Sequence, residues 1–127
     1  MTFGVASNLA KINDVTLDMW RQTLLAVPGS VLAMKGTGLE DPATRQHFVD
    51  GFAEGGIAQE RLRFEESGRL FEYLKWFSGV DLVLDTFPFA GGTTSCHCLY
   101  MGVPVITRTG KASVSRVGSS VLNNLGL

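Results

Sequence analysis

Gly91-Gly92-Thr93-Thr94-Ser95 is the stretch whose residue types best suit a chemical task, the holding of an anion. It follows the apolar run Leu82-Val83-Leu84 and leads into a helical segment, so its hydroxyl residues fall at a helix N-terminus. Free backbone amides and the positive end of the helix dipole favour an anion there, and glycines let the backbone come close to it. No lysine follows the glycines and no GxGxxG is present, so neither the Walker loop nor the dinucleotide fingerprint applies. The competing reading is conformational: Gly91-Gly92 is a tight turn and Thr93 caps the helix.

Lys11, some eighty positions earlier, supplies a cation for the same anion. An ammonium there can neutralise a diphosphate and stabilise it as a leaving group, whereas the plain alternative is a solvated surface lysine. Cys96-His97-Cys98 has ligand types for a metal, but adjacent helical positions point in different directions and the only other histidine is the distant His47. No metal site and no cofactor are therefore expected.

These residues need elements to position them. Short β-type runs alternate with helix-period runs along the whole chain, which predicts an α/β fold with a parallel sheet and helices on both faces. Strands are predicted over 2–7, 30–35, 60–64 and 81–87 and through Val105-Ile106. Helices are predicted over about 15–27, from Asp41-Pro42 to Gly55-Gly56, and over 68–78, 93–101 and 113–124. Leu17, Trp20, Leu24 and Val27 mark the buried face of the first helix. Right-handed crossovers give a Rossmann-like strand order 3-2-1-4-5 with its switch point between strands one and four. The segments following those strands, 8–14 and 88–95, should then face one crevice.

With 127 residues, 45% of them hydrophobic, the chain has the size of one domain, and residues 1–127 are read as a single lobe. Eleven basic and 12 acidic residues give a formal charge of −1 without a run of either sign, so no nucleic-acid or membrane-surface footprint is expected. No stretch reaches the length of a membrane span, no export signal opens the chain, and two cysteines this close staple nothing, so a cytoplasmic setting is expected.

Phe3-Gly4, Asn8-Leu9-Ala10-Lys11-Ile12, Leu84-Asp85-Thr86, Gly92-Thr93-Thr94, Met101-Gly102-Val103-Pro104-Val105 and Ser115-Arg116-Val117-Gly118 occur in that order. This spaced set resembles the O-GlcNAc transferase family over nearly the whole chain. The resemblance implies the C-terminal, nucleotide-sugar-binding lobe of a GT-B glycosyltransferase, a family whose bacterial members also carry tetratricopeptide repeats. It implies that Lys11 meets the donor diphosphate in a catalytic role, that Thr93 and Thr94 meet phosphate, and that Asn8, Gly92 and Ser95 belong to the same site. Asp85 matches a family position at a strand end, where a carboxylate either serves the donor or simply orients loop backbone. Arg116 is expected to order the donor-side loop, with a surface arginine on a helix capped by Ser115 as the alternative.

Two positions depart from the family pattern. Tyr73 stands where relatives often carry a histidine near uracil, and it either stacks on a base or is a core residue of the third helix. His97 stands where an acidic residue usually meets the ribose, and it replaces an acceptor-only carboxylate with a group that also donates.

The expected function is transfer of a sugar from a nucleotide diphosphate donor, UDP-GlcNAc foremost, to a protein Ser or Thr hydroxyl. The expected partners are that donor, a protein acceptor, an N-terminal GT-B lobe and repeats beyond these residues. Two alternatives stand beside it: a non-catalytic nucleotide-binding module, suggested by His97, and a fucosyltransferase using GDP-fucose.

Overall fold

Alternation of side chains across each strand builds two apolar layers, one on either side of a sheet. In the computed structural model, which describes all 127 residues, β1 (Thr2–Ala6) sends Phe3 and Val5 to one layer and Ala6 to the other. β2 (Val31–Gly36) sends Leu32 and Met34 to the first layer, and β4 (Leu82–Leu84) divides Leu84 and Val83 between the two. A strand buried on both faces reads as a continuous apolar run, which is why Leu82-Val83-Leu84 does.

With β3 (Leu62–Glu66) and β5 (Val105–Ile106), these strands form one five-stranded sheet of order β3-β2-β1-β4-β5, parallel at every pairing. The expected order is the observed one. α1 (Asp14–Ala26) and α2 (Pro42–Glu54) cover the first layer, contributing Leu17, Trp20, Leu24, Phe48 and Phe52. α3 (Leu70–Trp76) and α4 (Thr93–Tyr100) cover the second, where Phe77 and Cys98 are fully buried and Tyr73 and Trp76 pack beside them. α5 (Val117–Asn124) packs against α4. No helix is long and apolar enough to cross a membrane.

Local chemistry sets the helix starts. The Asn13 side chain accepts from the Thr16 amide at the start of α1, and Asp41 accepts from both the amide and the hydroxyl of Thr44 at the start of α2, at 2.9 and 2.8 Å. The Thr44 hydroxyl, and then its amide, hold the Asp41 carboxyl below its ordinary range. A depressed folded-state pKa stabilises the fold above the unfolded carboxylate pKa, and this contribution is lost as pH falls through the folded value. Asp41→Ala should therefore lower the thermal midpoint at neutral pH, and the gap to the parent should close in acid. A gap that stayed constant from neutral to strongly acidic pH would remove the cap charge from the explanation.

Four elements depart from their expected ranges by two residues or more, each for a visible reason. β3 begins at Leu62 rather than 60 because Gln59–Arg61 form a 3-10 turn. There Arg61 donates to the carbonyls of Leu24, Val27 and Ser30, so it ties the end of α1 to the turn before β2. β4 ends at Leu84 rather than 87 because the next carboxylate, Asp85, takes loop amides as partners. α3 is confined to 70–76, starting where Glu72 accepts from the Arg69 amide and running into a 3-10 turn at Phe77–Gly79. α5 starts at Val117 because Ser113–Ser115 form a 3-10 turn, in which the Ser115 hydroxyl donates to Ala112 and caps nothing.

Candidate functional site

The C-terminal ends of β1 and β4 lie side by side, and the chain leaving each is held by its own side chains. After β1, Asn8 accepts from the Ala10 amide at 3.0 Å and opens a 3-10 turn, Leu9–Lys11, that carries Lys11 toward the crevice. After β4, Asp85 organises the loop. Its Oδ1 accepts from the amides of Thr86 and Gly91, at 2.8 and 2.7 Å, and its Oδ2 accepts from the Thr107 hydroxyl at 2.8 Å. The Thr86 hydroxyl donates to the Phe89 carbonyl at 2.6 Å, closing the loop on itself. From α1, Thr16 donates to the Phe87 carbonyl and accepts from its amide, and the Trp20 indole donates to the carbonyl of Asp85.

Close approach explains two glycines here. A Cβ on Gly91 would lie 3.1 Å from Asp85 Oδ1, and one on Gly118 would lie 2.9 Å from Asp85 Oδ2 while overlapping the Thr107 side chain. The first turn of α5 thus packs on the buttress behind the loop.

The loop delivers α4 with an open N-terminus. Gly92, not Thr93, is the cap residue, and it has no side chain to satisfy the first amides. The backbone amides of Thr93, Thr94 and Ser95 have no acceptor within the helix, so their partial positive charge faces outward. The Ser95 hydroxyl is not free to join them, because it is buried and donates to the Gly91 carbonyl at 3.0 Å. Of the hydroxyl residues at this helix start, Ser95 therefore has its hydroxyl engaged within the fold, and only its amide is left without a partner.

A narrow crevice of about 30 Å³ collects Asn8, Lys11, Asp85, Gly91, Thr94 and Ser95. Asn8 and Thr94 also line a wider groove of about 550 Å³, which runs on past Tyr73, Thr37 and Ser67. Lys11 and the open start of α4 thus sit at one end and the Tyr73 ring at the other. Lys11 pairs with no carboxylate, since the ion pairs of the chain are Arg21 with Glu54 and Lys35 with Glu65. Its ammonium instead lies over the Phe89 ring, 4.6 Å from the centroid. A second cation over an aromatic ring, Arg108 over Phe87 at 4.6 Å, braces the same loop.

The other expected residues are placed less centrally. Tyr73 lines the groove and also packs edge-on against Phe77 and His97, at 5.2 and 5.5 Å. Burial pushes the Tyr73 phenol above its usual range, opposed in part by the Thr94 hydroxyl. His97 is half-buried on α4 behind Tyr73 and lines neither cavity. Gly92 and Thr93 border the α4 N-terminus outside both cavities, with Thr93 exposed. Arg116 is the exposed cap residue of α5, and its side chain makes no hydrogen bond or ion pair. It does not order the loop in this structure; Thr107, Thr16 and Trp20 do. Nowhere do three or more His, Cys, Asp or Glu side chains gather as a metal site, and burial pushes the Cys98 thiol up to about 12, away from a thiolate ligand.

Thr107, Thr16, Phe89 and Ser67 are contributors that reading the sequence missed. Thr107 was within reach of the strand order alone: β4 and β5 are neighbours, and the pairing of Leu84 with Ile106 sets Asp85 beside Thr107. Ser67 and Phe89 carry no signal of their own, because their places depend on loop paths.

The profile of glycosyl transferase family 41 matches residues 1–127. The chain is 40% identical over 128 residues to a probable UDP-N-acetylglucosamine-peptide N-acetylglucosaminyltransferase SPINDLY of Oryza sativa, and 39% identical over 129 residues to its namesake in Arabidopsis thaliana. In both cases the whole chain is covered and 14% of the relative's length. A UDP-N-acetylglucosamine-peptide N-acetylglucosaminyltransferase of Caenorhabditis elegans is 31% identical over 95% of the chain and 10% of its own length. Among solved structures, a mutant of the Thermobaculum terrenum O-GlcNAc transferase superposes with a TM-score of 0.97 at 37% identity, covering 99% of this chain and 24% of that one.

Proposed function

The chain belongs to glycosyl transferase family 41, and we propose that it is the donor-binding lobe of a glycosyltransferase that transfers a sugar from a nucleotide diphosphate, UDP-GlcNAc foremost, to a protein Ser or Thr hydroxyl. The observation that carries this reading is the meeting of Lys11 with Thr94, Ser95 and Asn8 in one crevice, at a helix N-terminus whose amides are free. Sugar transfer breaks the bond between the anomeric carbon and the diphosphate, and negative charge grows on the departing phosphate oxygen. The Lys11 ammonium and the α4 amides are arranged to offset that charge, which is worth most where water is excluded. The wider groove takes the nucleoside, with Tyr73 as the aromatic wall for the base and Asn8 and Thr94 at the junction. In this reading His97 acts through Tyr73, by packing on its ring, rather than by meeting the ribose directly.

The names of the relatives support UDP-GlcNAc as donor and a peptide as acceptor. Because the chain spans 14% of the plant relatives' length, the acceptor site, the base that takes the acceptor proton, a second GT-B lobe and tetratricopeptide repeats belong to the same proposal, as does a cytoplasmic setting.

Titrating the purified chain with UDP, GDP, UDP-GlcNAc, GDP-fucose and uridine tests the reading. UDP should bind more tightly than uridine, and Thr93→Val with Thr94→Val should lower UDP affinity by roughly tenfold, the scale of lost hydrogen bonds to a charged group. Tighter binding of GDP and GDP-fucose would move the donor to the guanine class. No nucleotide binding at millimolar concentration, or a double variant that binds UDP like the parent, would sink the diphosphate assignment.

A further inference from the structure

We infer that Phe89 is a positioning residue for Lys11: its ring holds the ammonium at the mouth of the crevice, aimed at the donor diphosphate. The inference rests on the proposed diphosphate site and adds a residue to it. A lysine side chain is long and flexible, and nothing else in the protein fixes this one, since Lys11 has no carboxylate within ion-pair distance. The Phe89 ring, 4.6 Å from the ammonium, is the one group set to hold it.

The ring itself stands on a fixed frame. The Phe89 carbonyl accepts from the Thr86 hydroxyl at 2.6 Å, the Ala90 amide donates to Val114 at 3.0 Å, and the Gly91 amide donates to Asp85 at 2.7 Å. Phe89 is 50% exposed, so its ring lies at the surface where the Lys11 ammonium meets its face.

An aromatic partner suits this task better than a carboxylate. A carboxylate would fix Lys11 but cancel its charge and compete with phosphate. A ring attracts the cation through its quadrupole, carries no net charge, and leaves the ammonium hydrogens on the far side to meet an anion. Restricting the lysine before the donor arrives lowers the ordering cost on binding, so the benefit should appear as affinity for the diphosphate and not for the nucleoside.

Titration of the chain with UDP and with uridine, for Phe89→Leu, Phe89→Tyr, Lys11→Ala and the Lys11→Ala/Phe89→Leu double variant, tests this. Phe89→Leu should weaken UDP binding by about two- to fivefold, the scale of an exposed cation–π contact, and leave uridine binding unchanged. Phe89→Tyr should restore the parent affinity, and in the Lys11→Ala background Phe89→Leu should have no further effect. The ring-current shift of the Lys11 side-chain protons in the nucleotide-free protein, read by NMR, should be present in the parent and absent in Phe89→Leu. An equal loss from Phe89→Leu with and without Lys11, or no loss with Lys11 present, overturns the positioning role and leaves the diphosphate site standing. Unchanged UDP binding by Lys11→Ala overturns the diphosphate site and the positioning role together.

Discussion

Lys11→Ala is expected to lower the affinity of the chain for UDP by about 10- to 100-fold, the effect of removing a charged donor from a phosphate, while uridine binds as before. The contrast between the two ligands matters more than the loss alone. A variant that damaged the fold would weaken both, whereas deletion of one ammonium in the narrow crevice touches only the ligand that carries phosphates. Raising the ionic strength should weaken UDP binding by the parent more than by the variant, because the screened charge is then missing. Lys11→Arg should recover part of the affinity, since the charge is kept but a planar fork replaces a compact ammonium over the Phe89 ring. In an intact enzyme carrying this lobe, Lys11→Ala should reduce kcat by roughly 10²- to 10³-fold, the usual cost of removing one preorganised group from developing charge. Equal UDP affinity for parent and variant would leave the crevice without its proposed role.

Strand order alone makes Lys11 and the glycine-rich turn neighbours, because a parallel sheet puts the chain leaving strands one and four on the same side of its switch point. That inference survives shifts of a few residues in element ends, and the start of β3, the end of β4 and the start of α5 did move, to Leu62, Leu84 and Val117. What the pattern could not supply was the use made of each polar side chain. Ser95 and Thr94 are adjacent hydroxyl residues, yet one turns back to the Gly91 carbonyl while the other lines both cavities. Arg116 and Arg108 are both arginines of the last third of the chain, but only Arg108 reaches the loop. Such choices depend on loop paths and packing at the ångström scale, to which residue type and spacing are nearly blind. Tyr73 shows the intermediate case: helical spacing placed it on a buried face, and the contact with His97 needed α3 and α4 to be docked.

The largest loss of stability is expected for Asp85→Ala, about 3 kcal/mol or more, because three donors lose their acceptor at once and two are loop amides with no replacement nearby. For a chain of this size the thermal midpoint should fall by about 10 °C or more. Asp85→Asn separates a structural carboxylate from one that serves the donor by its charge. The asparagine oxygen can keep the Thr86 and Gly91 amides, and its NH₂ can donate to Thr107, whose hydroxyl accepts as readily as it donates. Asp85→Asn should therefore hold the midpoint within a few degrees and keep UDP affinity close to that of the parent. Asp85→Ala should lose affinity in step with the order of the 85–91 loop, which carries both the Phe89 ring and the approach to α4. If Asp85→Asn folded like the parent but bound UDP far more weakly, the charge itself would be acting on the donor or on Lys11. If Asp85→Ala melted with the parent, the loop would owe its shape to its other restraints: the Thr86 hydroxyl on Phe89, and Thr16 and Trp20 on the chain before it.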